Sequence, residues 1–246
     1  TTILIGCRDN LQPQLENTYY NKIVHLLETN PDSALLLFNS INEESLSEAA
    51  FAQKCMLAGK ITDKLYQAII PTHHYERAHH WFSEHGTPQE QSLILLYLGR
   101  SYTEDGEYNH AMATFTKGMN IAEKYSLFDI SGLINSYMGD LYESKGMIEL
   151  AIDKYKTAAD LFLKDSNKKS YACALRDCGR SYARIDSIEK AINILLQADS
   201  IANEIDNPNV KASIANTIAG TYLLSSNYNE AKTFYNKALL FSKNKT

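Results

Sequence analysis

The chain is poor in the residues from which most reactive sites are built. Its four cysteines, Cys7, Cys55, Cys173 and Cys178, form no Cys-x-x-Cys pair and stand at no finger-like spacing from a histidine. That argues against a structural zinc site. No glycine-rich phosphate loop, Gly-x-Ser-x-Gly turn or His-Glu-x-x-His helix occurs, so no constellation for catalysis is offered and the protein is not expected to be an enzyme. Basic residues are neither numerous nor clustered: 24 Lys and Arg face 29 Asp and Glu, a net charge of −5, which excludes a nucleic-acid footprint. No apolar run reaches the length of a membrane span. Prolines and glycines are sparse, at five and eleven. Five histidines, at 73, 74, 79, 80 and 85, do crowd around Trp81, yet no two are four residues apart. His73 and His80 share a helix face two turns, or about 10 Å, apart, which is too far for one ion. No metal or cofactor is expected.

What the chain does have is a period. Gly99, Gly139, Gly179 and Ala219 recur every forty residues, each followed three residues later by a tyrosine: Tyr102, Tyr142, Tyr182 and Tyr222. Ala111, Ala151, Ala191 and Ala231 form the next column, then Phe115, Tyr155, Leu195 and Tyr235, then Gly118, Ala158, Ala198 and Ala238. Apolar spacing within each unit is helical, as at Leu95, Leu98 and Tyr102. Gly106, Gly146, Asp186 and Ser226 stand between the two helices of successive units, where a tight turn or cap is needed. Helix starts are marked by Thr87-Pro88-Gln89-Glu90, by Ser45-Leu46-Ser47-Glu48, and by the pairs Asn30-Pro31 and Asn207-Pro208. The small residues let paired helices approach closely, the alanine column receiving the first-helix tyrosine. Cys178, in the column of Leu98, Met138 and Ile218, reads as a buried apolar thiol. The expectation is an all-α chain, an α-solenoid (right-handed superhelix) of about six antiparallel helix pairs.

These columns resemble the tetratricopeptide repeat, with Leu-Gly-x-x-Tyr in the first helix and Tyr-x-x-Ala-x-x-x-Tyr-x-x-Ala in the second. Tyr97-Leu98-Gly99-Arg100-Ser101-Tyr102 and Gly106-Glu107-Tyr108-Asn109-His110-Ala111 carry the best match. The period exceeds the family's usual value of about thirty-four. Four clear repeats are expected over 91–243, a degenerate repeat over 45–86 and an N-terminal helix pair over 15–42, together an array spanning 15–243. Asp32-Ser33-Ala34-Leu35-Leu36-Leu37 and Ala174-Leu175-Arg176-Asp177-Cys178-Gly179-Arg180-Ser181-Tyr182 also resemble the sensor portion of membrane-tethered regulators of this family in some Gram-negative anaerobes. Such relatives continue into a membrane helix and a helix-turn-helix domain.

The resemblance implies an interaction scaffold or sensor rather than an enzyme, with a protein or peptide partner held in a concave groove lined by the first helices. Carried onto this chain, groove positions include Arg100 and Leu96, then Asp140, then Arg176, Arg180 and Arg184, then Asn216. The three arginines are spaced i, i+4, i+8 and so form one ridge, suited to gripping the carboxylates of an acidic ligand. The alternative is that they serve the stack itself, Arg180 pairing with Asp140 and Arg176 with Asp177 or Glu143.

Residues 1–14 read separately. Leu4-Ile5-Gly6-Cys7 resembles the lipobox of bacterial lipoproteins, which implies lipidation of Cys7, a tether over 8–14, and a periplasmic or outer-membrane location with the membrane met only through that anchor. The competing reading is a cytoplasmic peptide-responsive regulator of the same repeat type, for which Leu4–Cys7 would be coincidental.

Overall fold

Twelve α-helices and one short 3-10 turn build the described chain, residues 12–65 and 67–243 of a computed structural model, with side chains described for 19–65 and 67–242. No strand occurs among the described residues. The helices are α1 (Gln12–Thr29), α2 (Pro31–Asn39), α3 (Glu48–Leu65), α4 (Thr72–His85), α5 (Pro88–Glu104), α6 (Tyr108–Lys124), α7 (Phe128–Ser144), α8 (Ile148–Lys164), α9 (Lys168–Arg184), α10 (Ile188–Asn203), α11 (Pro208–Leu224) and α12 (Tyr228–Lys243). Cys7 and the rest of the lipobox motif lie outside the described residues.

The chain divides at Gly118 and Met119 into two compact units. In the first, α1 packs on α2, α3 on α4, and α4 on α5. In the second, each helix from α7 to α12 packs on the next, and α9 also touches α11. Consecutive pairing of this kind, with first helices meeting first helices, is that of a tetratricopeptide-like α-solenoid.

Local chemistry sets the ends. The Thr87 side chain accepts from the Glu90 backbone at 3.3 Å while Glu90 takes the Thr87 N–H at 2.9 Å, a reciprocal cap with Pro88 at the first helical position. Asn30 and Asn207 cap α2 and α11 by accepting from Ser33 and Val210. The start of α3 differs from the sequence reading. Ser45 ends the 3-10 turn Glu43–Ser45, and it is Ser47 whose hydroxyl accepts from the Ala50 N–H, at 3.2 Å. The two serines compete for one role, and the turn takes the first.

Gly106, Gly146, Asp186 and Ser226 all adopt positive φ, between 57° and 78°. Behind each, the next residue's N–H returns to the carbonyl of the column tyrosine: Glu107 to Tyr102, Met147 to Tyr142, Ser187 to Tyr182 and Asn227 to Tyr222, at 2.8–3.0 Å. Each hairpin is therefore closed by a left-handed residue and a six-residue hydrogen-bonded ring. Ser126 and Ser166 repeat the left-handed turn between one pair and the next, at φ 56° and 59°.

The glycine column is buried against the second helix. A Cβ on Gly99 would lie 2.5 Å from the Phe115 ring, one on Gly139 2.6 Å from Tyr155, and one on Gly179 2.6 Å from Leu195. So the space beside the first helix is filled by the Phe115, Tyr155 and Leu195 column, each fully buried. The first-helix tyrosines are half-buried, with Tyr102 beside His110 and Tyr222 stacked on Phe234 at 5.8 Å. The alanine column is buried throughout, from Ala111 to Ala231. Cys178 is buried as expected, and that burial pushes its thiol up to about 11.

Candidate functional site

Helical spacing puts Arg176, Arg180 and Arg184 on one face of α9, and the second unit surrounds them with acids from its own helices. Arg176 grips Asp177 through two N–H groups, Nε to Oδ1 at 3.0 Å and Nη2 to Oδ2 at 2.9 Å, and its Nη1 donates to the Ser213 hydroxyl of α11 at 3.0 Å. Arg180 reaches back to α7: its Nη2 donates to Glu143 Oε2 at 2.8 Å, while Nη1 meets Asp177 Oδ1 at 2.9 Å. Arg184 forms an ion pair with Glu143 Oε1 at 3.0 Å. The ridge expected from the spacing thus exists, and three carboxylates sit beside it.

Glu143 is the hub. Its carboxylate is 10% exposed and accepts from Arg180, from the Ser181 hydroxyl at 3.3 Å and from the Tyr155 hydroxyl at 3.2 Å. Burial alone would raise its carboxyl, but the Arg180 hydrogen bond and the charges of Arg180 and Arg184 outweigh that and hold it below the usual range. Asp140 does not take Arg180 as its partner. It accepts instead from the Tyr155 hydroxyl at 2.6 Å. Asp140 borders solvent, yet the protein packed around it, with the nearby charges of Asp177 and Glu143, pushes its carboxyl up to about 6 against the pull of the Tyr155 bond and of Arg180.

The remaining expected positions lie apart from this network. Asn216 is exposed on α11, and its side chain makes no hydrogen bond among the described residues. In the first unit, Arg100 is 12% exposed and pairs with Asp63 of α3. It lines a space of about one water, 10 Å³, with Thr62, Tyr75, Ser101 and Glu104. Leu96 is buried rather than open to a groove. Sequence reasoning missed the Tyr155 hydroxyl, which joins Asp140 to Glu143. The column carried little signal, because Tyr75 and Tyr235 stand in it as well as Tyr155, beside Phe115 and Leu195; what sets Tyr155 apart is that Asp140 and Glu143 lie on the helix before it.

No three potential metal ligands gather among the described residues. His74 meets Glu43 at 3.2 Å and His85 stacks on Trp81 at 5.0 Å. No described helix is long and apolar enough to cross a membrane.

Residues 212–245 match the tetratricopeptide repeat family. The chain is also similar to BtubC from P. vanneervenii, at 13% identity over 97% of this chain and 92% of that one, with a TM-score of 0.67. The fold is that of a tetratricopeptide repeat array. The same array is similar to NprR, solved with its cognate peptide NprX, at 13% identity over 93% of this chain and 67% of NprR (TM-score 0.70). It is similar as well to a Rap protein solved with Competence and Sporulation Factor, at 11% identity over 94% of this chain and 66% of that one (TM-score 0.61). No curated protein matches the chain in sequence.

Proposed function

We propose that this tetratricopeptide array is a non-catalytic interaction scaffold or sensor that docks an acidic peptide segment of another protein on the first-helix face of α7, α9 and α11. The observation that carries the reading is the arginine ridge, whose Arg180 and Arg184 side chains remain 41% and 50% exposed at the edge of the carboxylate network. Guanidinium groups held in a fixed orientation lose little freedom when they take a further carboxylate. The likeness to NprR, solved with its cognate peptide NprX, supports a peptide as the ligand class. The same likeness also supports a second reading, a peptide-responsive regulator, for which the location would be the cytoplasm.

The test is capture of partners by the soluble 15–246 portion, followed by mapping of the bound segment. Charge reversal at Arg176 and Arg184 should abolish capture. Capture that survives both reversals would remove the ridge from the reading. The lipidation of Cys7 and a periplasmic or outer-membrane location separate the two readings. Labelling with a fatty-acid analogue should mark the wild-type protein and spare Cys7→Ala, whereas no label on either supports the cytoplasmic regulator.

A further inference from the structure

The three arginines of the ridge are not equivalent. Arg176 is spent on Asp177 and Ser213, so it ties α9 to α11. Arg180 is spent on Glu143 and Asp177, so it ties α9 to α7. Arg184 makes one polar contact among the described residues, the 3.0 Å ion pair with Glu143, and it is the most exposed of the three. A guanidinium carries five N–H donors, so most of those on Arg184 face no protein acceptor.

Glu143 does not depend on Arg184. If the Arg184 side chain swings away, the carboxylate keeps Arg180, Ser181 and Tyr155. No buried charge is stranded, which is the usual obstacle to opening a partly buried ion pair. The positions one period before and after Arg184 are Ser144 and Leu224, and neither can neutralise it. Leu223 and Leu224 are exposed, so apolar surface stands in the same register on the neighbouring first helix.

From this we infer that Arg184 is the anion-contacting residue of the ridge, held ready by Glu143, and that Arg176 and Arg180 are fastenings between helices. The ligand group is a carboxylate of an acidic peptide, an inference that rests on the reading proposed above. On docking, the ligand carboxylate takes the outward N–H groups of Arg184, and Glu143 stays with its other donors.

The test uses a fluorescein-labelled hexaglutamate peptide, read by anisotropy at low salt, alongside thermal melts of the same samples. Arg184→Gln is expected to weaken binding about tenfold, the worth of one charge-assisted hydrogen-bonded contact, with a melting temperature close to wild type. Arg180→Gln is expected to lower the melting temperature and to leave binding within about threefold of wild type, because it alters a fastening and not the contact. Lys232→Gln, an exposed charge removed elsewhere, controls for net charge and should bind as wild type does. If Arg184→Gln binds as tightly as wild type while Arg180→Gln does not, the assignment is overturned and the acidic-peptide reading stands. If the wild-type protein binds no better than Arg176→Glu/Arg184→Glu, both fall together.

Discussion

At the scale of single residues, Gly139 and Tyr155 show how one contact serves packing and electrostatics together. Gly139 leaves the space into which the Tyr155 ring fits, and the ring's hydroxyl then reaches Asp140 and Glu143. Gly139→Ala would bring a methyl group to 2.6 Å from that ring. Overpacking of this kind should cost about 1–3 kcal/mol in a chemical denaturation series. It should also move Glu143 off the Tyr155 hydroxyl. Gly146→Ala tests a different property, because the added methyl meets open space but the backbone sits at φ +74°. A loss of about 1 kcal/mol is expected from the left-handed conformation alone.

The two carboxyls that Tyr155 joins should give stability opposite dependences on pH. Asp140 in the folded chain releases its proton at about 6. In the unfolded chain the same carboxyl does so at about 3.9. Between those values the folded state holds more protons, so this group makes stability fall as pH rises, and the loss persists above that window. Asp140→Asn, which still accepts from Tyr155, should therefore melt higher than wild type at pH 8 and equally at pH 4. Glu143 is held below its ordinary value, so its contribution is present at neutral pH and disappears as pH falls through the carboxylate range. Glu143→Gln should accordingly melt lower than wild type at pH 7, with the gap closing in acid. Parallel melts of both variants across pH 4–8 check the pair of signs.

At the scale of elements, boundaries follow from caps and turns that can be read in the chain. Thr87, Asn30 and Asn207 were legible because cap, proline and helix fall in fixed order, and the four hairpin turns because Gly106, Gly146, Asp186 and Ser226 share a column. Thr87→Ala should lower stability by about 1 kcal/mol, since the Glu90 N–H loses its acceptor and the Glu90 carboxylate loses the Thr87 hydroxyl. Ser45 was not legible as a turn residue, because Ser45 and Ser47 offer the same hydroxyl two positions apart. The arginine ridge was visible from spacing alone. Which acid each arginine takes was not, since Asp140, Glu143 and Asp177 all lie within reach by sequence register. The choice turns on Tyr155, which occupies Asp140 and frees Arg180 for Glu143.

At the scale of the whole molecule, polar contacts recur at nearly the same sequence distance as the packing columns. Lys64 meets Glu28, Arg100 meets Asp63, Arg180 meets Glu143, Arg176 meets Ser213, and Lys237 meets Asp199, each pair separated by 36–38 residues. Within each unit, then, neighbouring helix pairs are stitched by charge as well as by apolar burial, and stability should be divided among nearest neighbours. Lys237→Ala would leave Asp199, 13% exposed, without its cation. That loss should loosen the last two hairpins and be felt little further along the chain.

The hydrogen-bonded ring that shuts the four hairpins from α5 to α12 on their column tyrosines supplies the means to see this. The amides of Glu107, Met147, Ser187 and Asn227 are four chemically matched reporters, one to a repeat. Their deuterium uptake reads, hairpin by hairpin, how long each stays shut. In Lys237→Ala the Asn227 and Ser187 protons should be lost sooner, with those of Glu107 keeping their original pace, so the chain carries its own set of evenly spaced clocks.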